Sequence, residues 1–313
     1  MIYTVTLNPT LDRTLRFPAL RVGELNRATT SRIDLSGKGV NVSMALRRFG
    51  LDSVIMGIQA GHFGRMLVDG LIAQGYECDF VDVPGETRSN ITVIDEATGV
   101  TTKLNEPGPT VSEADLAELE RRLGEHAEKG DWCILSGSLP PGAPDDTYAR
   151  LIKGLSARGV RVVLDTSSEG LRRGCEAGPD LVKPNAVEAF ELLGRHLGCA
   201  DLDARSLADG LGDIQALGPK RVLLSLDRRG GAYADGVHVW ACDAPVIEEV
   251  SAVGAGDALL SGALWATMRD LPGDEVLRWG IATGTAAAMG DGSAMPEMGL
   301  VREVYAKVAV RRV

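Results

Sequence analysis

Short apolar runs, several of them rich in β-branched residues, recur along this 313-residue chain, with stretches of helical spacing between them. "MIYTVTL" reads as an opening strand, and "SVIMGIQA", "DWCILSG", "VRVVLD", "DLVKPN" and "RVLLSL" read as later ones. Among the helical stretches, "NVSMALRRFG" puts Val42, Ala45, Leu46 and Phe49 on one face, with Gly50 as a stop. "SEADLAELERRL" opens on Ser112 with acids in its first turn, and "DDTYARLIKGLSARG" carries a stripe of Tyr148, Leu151, Ile152 and Leu155. Apolar strands alternating with helices predict an α/β fold, a parallel sheet covered on both faces. Ligands of such sheets sit beyond the carboxyl ends of the strands.

Two segments break the rhythm. Residues 13–34 show no helical stripe and read as short strands and turns. Residues 87–105 alternate polar and apolar around Thr98-Gly99, which is a hairpin signal. Together they predict a small β element projecting from one α/β body spanning 1–313, with no linker between independent domains.

The net charge of −10 argues against a broad nucleic-acid surface, but a few local cations suffice for a small phosphorylated ligand. The five cysteines, Cys78, Cys133, Cys175, Cys199 and Cys242, are scattered, with no Cys-x-x-Cys pair. They suggest neither a disulfide framework nor a zinc site and read as reduced packing residues. "MIYTVTLNPT" lacks the basic start and apolar run of a signal peptide, and no stretch is long and apolar enough to span a bilayer. The expectation is a cytoplasmic protein without a membrane partner.

Three small-residue loops are candidate sites. "SGKGVN" at 36–41 fails the P-loop pattern, because Gly39 stands where Ser or Thr is required, and Val42 breaks the dinucleotide fingerprint. Gly37 and Gly39 still allow close approach to a ligand, with Lys38 supplying charge and Asn41 hydrogen bonds. "LSGSLPPG" at 135–142 puts Ser136 and Ser138 at the carboxyl end of a buried strand. "GAGDAL" at 254–259 also fails the dinucleotide fingerprint. Taken alone, Asp257 reads as a cap of the helix that begins there. The alternative is a general base beside a phosphoryl group bound at the helix start.

The set of motifs resembles the ribokinase-like, or phosphofructokinase B, carbohydrate kinases over nearly the whole chain. "SGKGVNVSMALRRFG" is similar to that family's N-terminal signature and "VSAVGAGDALLSGAL" to its C-terminal one, while "KPNAVEAFELLG" carries its Asn-x-x-Glu spacing. "TLNPTLD", "TRSNITV", "TKLNEPGP" and "SGSLPPG" are closest to the branch acting on phosphorylated hexoses, which includes 1-phosphofructokinase and tagatose-6-phosphate kinase.

The resemblance implies a three-layer α/β/α body with a mainly parallel sheet and a small β-sheet lid from about 12–35 and 87–106. It implies Asp257 as catalytic base, with the N–H groups of Gly254, Ala255 and Gly256 as an anion hole. Asp12, Gly37, Lys38 and Asn41 would hold the sugar, and Arg88, Lys103 and Ser138 its phosphate. Asn185 and Glu188 would organise Mg²⁺, mostly through water, and the phosphates of ATP, while Ser225, Gly230 and Gly256 would border the nucleotide. A homodimer through the lid is also implied.

Three positions depart from the pattern: Asp227 where the family usually has Gly, Ala252 where a polar residue is frequent, and Ser36 in place of Gly or Ala. An acid facing phosphates is repulsive, so Asp227 is expected to point away, or its loop to be rearranged; Ser36 should be tolerated. The function implied is ATP-dependent phosphorylation of a ketohexose phosphate, foremost fructose 1-phosphate. Kinases of tagatose 6-phosphate, fructose 6-phosphate or an unphosphorylated sugar are the near alternatives. A catalytically silent sugar-phosphate sensor is the distant one.

Overall fold

The structure is a computed structural model that describes residues 1–197, 204–292 and 294–313. In chain order the elements begin with β1 (Ile2–Thr6), β2 (Thr10–Phe17), β3 (Thr30–Ser36), α1 (Lys38–Arg48), β4 (Val54–Ala60), α2 (Gly61–Ala73) and β5 (Glu77–Val83). There follow β6 (Arg88–Asp95), β7 (Thr101–Leu104), α3 (Glu113–His126), β8 (Trp132–Ser136), α4 (Thr147–Ala157), β9 (Arg161–Asp165) and α5 (Ser168–Glu176). The chain continues through β10 (Leu181–Val182), α6 (Ala186–Leu193), α7 (Ala204–Ala216), β11 (Val222–Ser225), β12 (Gly231–Ala234) and β13 (Val239–Cys242). It closes with α8 (Ala255–Thr267), α9 (Gly273–Ala288), α10 (Met298–Tyr305) and β14 (Arg311–Arg312).

The large sheet has ten strands in the order β14-β13-β12-β11-β10-β9-β8-β1-β4-β5. From β11 to β5 every pairing is parallel, while β12, β13 and β14 extend the edge antiparallel. That antiparallel extension carried no distinct signal in the sequence.

Side-chain alternation explains why these strands read as continuous apolar runs. Val5, Cys133, Leu135, Val162, Leu164, Val222 and Leu224 enter one core layer, which includes Leu116 and Leu119 of α3 and Leu151 and Ile152 of α4. Ile2, Trp132, Ile134, Val163 and Leu223 enter the opposite layer, with Val42 and Leu46 of α1 and residues of α8, α9 and α10. The expected capping at Ser112 is present: its side chain accepts from Asp115 N, and Asp115 reciprocates to the Ser112 N–H.

Two boundaries differ from expectation. Helix α1 begins at Lys38, four residues before Val42, the first residue of its apolar stripe. In "DLVKPN" the continuous strand covers only Leu181–Val182; past Pro184, which lacks an N–H, pairing returns as a single parallel bridge between Asn185 and Ser225. The early start of α1 depends on Gly39: a Cβ there would lie 2.5 Å from Thr6 Oγ1 and 3.1 Å from the Val5 carbonyl. The first turn of α1 therefore presses directly on the carboxyl end of β1.

A second sheet of four strands, ordered β3-β2-β6-β7, comes from the two segments that broke the helical rhythm. β2 pairs antiparallel with β3 and parallel with β6, and β6 forms the expected hairpin with β7. Residues 13–34 are the expected short strands and turns: the end of β2, the irregular connection 18–29 and the start of β3. Strand alternation puts Asp12, Thr14, Asn90, Thr92 and Lys103 on one face, and Leu15, Ile33, Ile91, Val93 and Leu104 on the other. Leu11 and Leu35 anchor this sheet on α2, in a cluster with Val40, Leu67 and Leu71. Arg16 and Arg32 reach Asp291 at 3.3 and 2.9 Å.

Cys133, Cys175 and Cys242 are buried and Cys78 half-buried, all with free thiols; Cys199 lies outside the described residues. No helix among the described residues is long and apolar enough to cross a membrane.

Candidate active site

The carboxyl ends of β1, β8, β9, β10 and β11 share one edge of the large sheet, since these strands are parallel neighbours. The starts of α1 and α8 meet there: Asn41 Nδ2 donates to Asp257 Oδ2 at 2.8 Å. The two glycine-rich motifs, 216 residues apart in sequence, are thereby joined. Ser36, expected only to be tolerated, places its Oγ 3.4 Å from Asn41 Oδ1, where its O–H donates to the amide oxygen.

Asp257 does not cap its helix. No side chain caps the start of α8 among the described residues, and Gly254 holds the N-cap position at φ 76°, where glycine is favoured. The first-turn N–H groups of a helix have no intrahelical acceptor. Ala255 N–H is turned to the Ala252 carbonyl at 3.3 Å, so the open end of the helix centres on Gly256 and Asp257. Of the three N–H groups expected to form an anion hole, that of Ala255 is thus engaged within the chain.

Burial is the main force on the Asp257 carboxyl, which is 6% exposed. It pushes the pKa up to about 6; Asp165 adds to the rise, while Lys38, the Asn41 hydrogen bond and Lys183 oppose it. Such a group is a carboxylate at neutral pH but close to taking a proton, as a general base requires.

Lys38 is not a free cation between two glycines. Its Nζ donates to Asp165 Oδ1 at 2.8 Å, and Lys183 Nζ lies 3.2 Å from the same oxygen. Asp165 is fully buried. Burial alone would raise its pKa, yet Lys183 and Lys38 together hold it below the usual carboxylate range. Burial alone would lower the Lys38 pKa, but Asp165, Asp257 and Glu188 outweigh it and keep the ammonium charged. Lys183 Nζ also stands beside the α8 start, 3.7 Å from where a Cβ on Gly256 would be.

Asp165 and Lys183 escaped the reading of the sequence as site residues. The signal for Asp165 was an acid ending the buried run "VRVVLD" at a strand's carboxyl end; for Lys183 it was the cation in "KPN". Ser138 follows β8 in a loop pinned by the Gly137 carbonyl, which accepts from Tyr148 Oη at 2.8 Å and Thr166 Oγ1 at 2.9 Å.

Asn185 and Glu188 form a capping box at the start of α6. Asn185 Oδ1 accepts from the Val187 and Glu188 N–H groups, and Glu188 Oε2 from the Asn185 N–H. The Asn-x-x-Glu spacing therefore has a structural task. Glu188 is also buried, which raises its pKa, with Lys183 and Lys38 opposing.

On the small sheet, Asp12 Oδ1 accepts from Thr10 Oγ1 at 3.3 Å and Asn90 Nδ2 at 3.2 Å. Arg88 pairs across from Thr10 in the strand register. Burial lowers the pKa of its guanidinium, with Asp12 opposing, and its buried Nε has no hydrogen-bond partner among the described residues. Lys103 faces the same way as Arg88 but is not beside it. It sits on the exposed edge strand opposite Thr92, four register positions out, or about 13 Å along the strand.

Ser225, Gly230 and Gly256 line a cavity of about 820 Å³ between the 227–229 turn, the 244–249 segment and helices α8 and α9. Val246, Ile247, Leu259 and Ile281 give it apolar walls. Asp227 is also among the lining residues, in an exposed turn with φ 53°. That left-handed backbone is where glycine is most at ease. Ala252 lines the cavity and lends its carbonyl to the α8 start.

The described residues thus bring together Asn41, Lys38, Asp165, Lys183 and Asp257, with a nucleotide-sized cavity lined by Gly256 at the start of α8. The chain matches the pfkB family carbohydrate kinase pattern over residues 5–297. It is 32% identical over 312 residues to a 1-phosphofructokinase of Bacillus subtilis, covering 100% of each chain. It is 30% identical over 306 residues to the ATP-dependent 6-phosphofructokinase isozyme 2 of Escherichia coli, covering 97% of this chain and 98% of the other. A crystal structure of phosphofructokinase-2 from Escherichia coli in complex with potassium superposes with a TM-score of 0.91 at 29% identity, covering 98% of both chains. With that match across nearly its full length, the chain belongs to the pfkB family of carbohydrate kinases.

Proposed function

We propose that this kinase transfers the γ-phosphoryl group of ATP to a hydroxyl of fructose 1-phosphate, giving fructose 1,6-bisphosphate and ADP. The observation that carries the reading is the buried Asp257 carboxylate, held by Asn41 at an uncapped helix start. Asp257 takes the hydroxyl proton as the sugar oxygen bonds to phosphorus and the bond to the ADP oxygen breaks. The N–H groups at Gly256 and Asp257, with Lys183, balance charge on the transferring group. Asp12, Gly37, Lys38 and Asn41 hold the sugar, and Ser225 and Gly230 border the nucleotide.

Arg88 supports a substrate that carries its own phosphate. A desolvated guanidinium with an unpartnered Nε is suited to an anion, and neutral sugars offer none. Ser138 and Lys103 are assigned supporting parts, Lys103 at longer range. The buried acid Glu188 suits a divalent cation nearby. Mg²⁺ held mostly through water and the ATP phosphates needs few direct protein ligands. When bound, Mg²⁺ shields phosphate charge. The four cysteines among the described residues are free thiols, which fits a cytoplasmic enzyme.

The small sheet acts in this reading as a lid whose polar face covers the sugar and excludes water. Its other face leaves Ile33 at 44% and Leu104 at 53% exposure, an apolar surface suited to a second copy of the chain.

An ADP-release assay over fructose 1-phosphate, fructose 6-phosphate, tagatose 6-phosphate and fructose should give the highest kcat/KM for fructose 1-phosphate. Arg88→Ala should raise KM for it by roughly 10–100-fold, the loss of one charged hydrogen-bonding group. High turnover of fructose, indifferent to Arg88→Ala, contradicts the substrate assignment; a preference for fructose 6-phosphate places the chain with the Escherichia coli relative.

Asp257→Asn should lower kcat by roughly 10²–10⁴-fold, the usual worth of a general base. Because folding raises the Asp257 pKa from its ordinary 3.8 to about 6, the folded protein binds the extra proton first, and this group favours folding as pH falls through 6 toward 3.8. At pH 8 the charge is a cost, so Asp257→Asn should raise the melting temperature there while slowing turnover by that factor. Wild-type kcat/KM should fall as pH drops through about 6. A pH-independent rate between 5 and 8, with wild-type activity in Asp257→Asn, contradicts the assignment.

For the lid, sedimentation should show a dimer that Leu104→Asp shifts to monomer. A wild-type monomer at micromolar concentration contradicts that surface.

A further inference from the structure

We infer that Asp165 is a positioning residue that holds Lys38 and Lys183 on the two sides of the phosphoryl-transfer site. The inference rests on the kinase reading above, but not on which sugar is the acceptor.

The two lysines come from different parts of the fold. Lys38 opens α1, three residues before Asn41, which touches Asp257. Lys183 follows β10 and lies against Gly256 at the start of α8. One therefore flanks the side on which the sugar is held, and the other the open helix end assigned to the phosphoryl group.

A single atom joins them. Asp165 Oδ1 accepts from Lys38 at 2.8 Å and approaches Lys183 at 3.2 Å. The two ammonium groups stand no further apart than the sum of those contacts. Without a shared anion, like charges at that range repel strongly in a water-poor site. Lys183, at 3% exposure, has little room to move its charge into water, whereas the Lys38 side chain is 37% exposed. Loss of Asp165 should therefore displace Lys38 first.

Asp165 Oδ2 is buried without a hydrogen-bond partner among the described residues, and the residue's ion pairs there are with the two lysines. Buried ion pairs are on average no more stabilising than apolar residues of the same volume. A buried acid whose partners are two lysines at the reaction site fits a requirement of catalysis better than one of stability.

The test is a double-mutant cycle read by ADP release, with whichever acceptor the wild type turns over best, and by calorimetric binding of MgADP. Asp165→Asn keeps the shape and an acceptor oxygen but removes the charge. It should lower kcat roughly 10²-fold and also raise KM for the sugar, because the Lys38 it displaces is assigned to hold the sugar as well as to flank the transfer site. Lys38→Met should cost a similar factor in the wild type but less than about threefold in the Asp165→Asn background, because both substitutions break one coupled unit. MgADP binding should weaken in Asp165→Asn through Lys183. The inference is overturned if Asp165→Asn retains kcat within threefold per folded molecule, or if the effects of Asp165→Asn and Lys38→Met multiply. If the wild type turns over no acceptor, the kinase reading fails, and unchanged MgADP affinity in Asp165→Asn then overturns this inference separately.

Discussion

The hydrogen bond from Asn41 to Asp257 is the contact on which the site depends. It requires the first turns of α1 and α8 to lie side by side, and the residues between them are small. Ala45, Ala258 and Ala287 form one buried cluster with Met295, so the helices approach closely enough for a short amide to reach a short carboxylate. Gly39 sets the other coordinate, because α1 presses on the end of β1 where no Cβ fits. The large sheet thus fixes one end of the bond and helix packing the other.

Charge around that bond is arranged rather than abundant. Three buried acids, Asp165, Glu188 and Asp257, face two lysines, and their environments pull them apart. Asp165 touches both lysines and stays ionised. Asp257 has an amide and a low-dielectric setting, so its proton affinity rises to about 6. Two carboxylates in one site receive different protonation behaviour from burial and neighbours alone. Lys183, against Gly256, puts positive charge where the helix dipole already favours an anion.

Much of this was legible in the residues. Alternating apolar runs gave the parallel sheet, and the Thr98-Gly99 turn gave the hairpin, because both patterns follow from local backbone geometry. Asp257 and Asn41 stood out because their motifs are contiguous. Asp165 and Lys183 did not, since each closes or follows an ordinary strand and gains meaning only when β9 and β10 lie side by side. The capping box at Asn185 and Glu188 shows the opposite case, a spacing expected for ligand contacts that also closes a helix end. Lys103 lies far from Arg88 because register, rather than proximity in a hairpin, decides which charges meet. The positive φ of Asp227 is likewise a backbone property that no local pattern announces.

The central claim is that the Asp257 carboxylate faces the attacking hydroxyl while the start of α8 receives the transferred group. A crystal structure with sugar phosphate, MgADP and a planar phosphoryl mimic such as aluminium fluoride tests it most directly. The account predicts a sugar hydroxyl oxygen about 2.6–3.2 Å from an Asp257 oxygen, the range for proton transfer, with the mimic on the N–H groups of Gly256 and Asp257 and beside Lys183. A mimic bound away from the α8 start, or a sugar whose hydroxyl meets another residue while Asp257 stays turned to Asn41 alone, would contradict it.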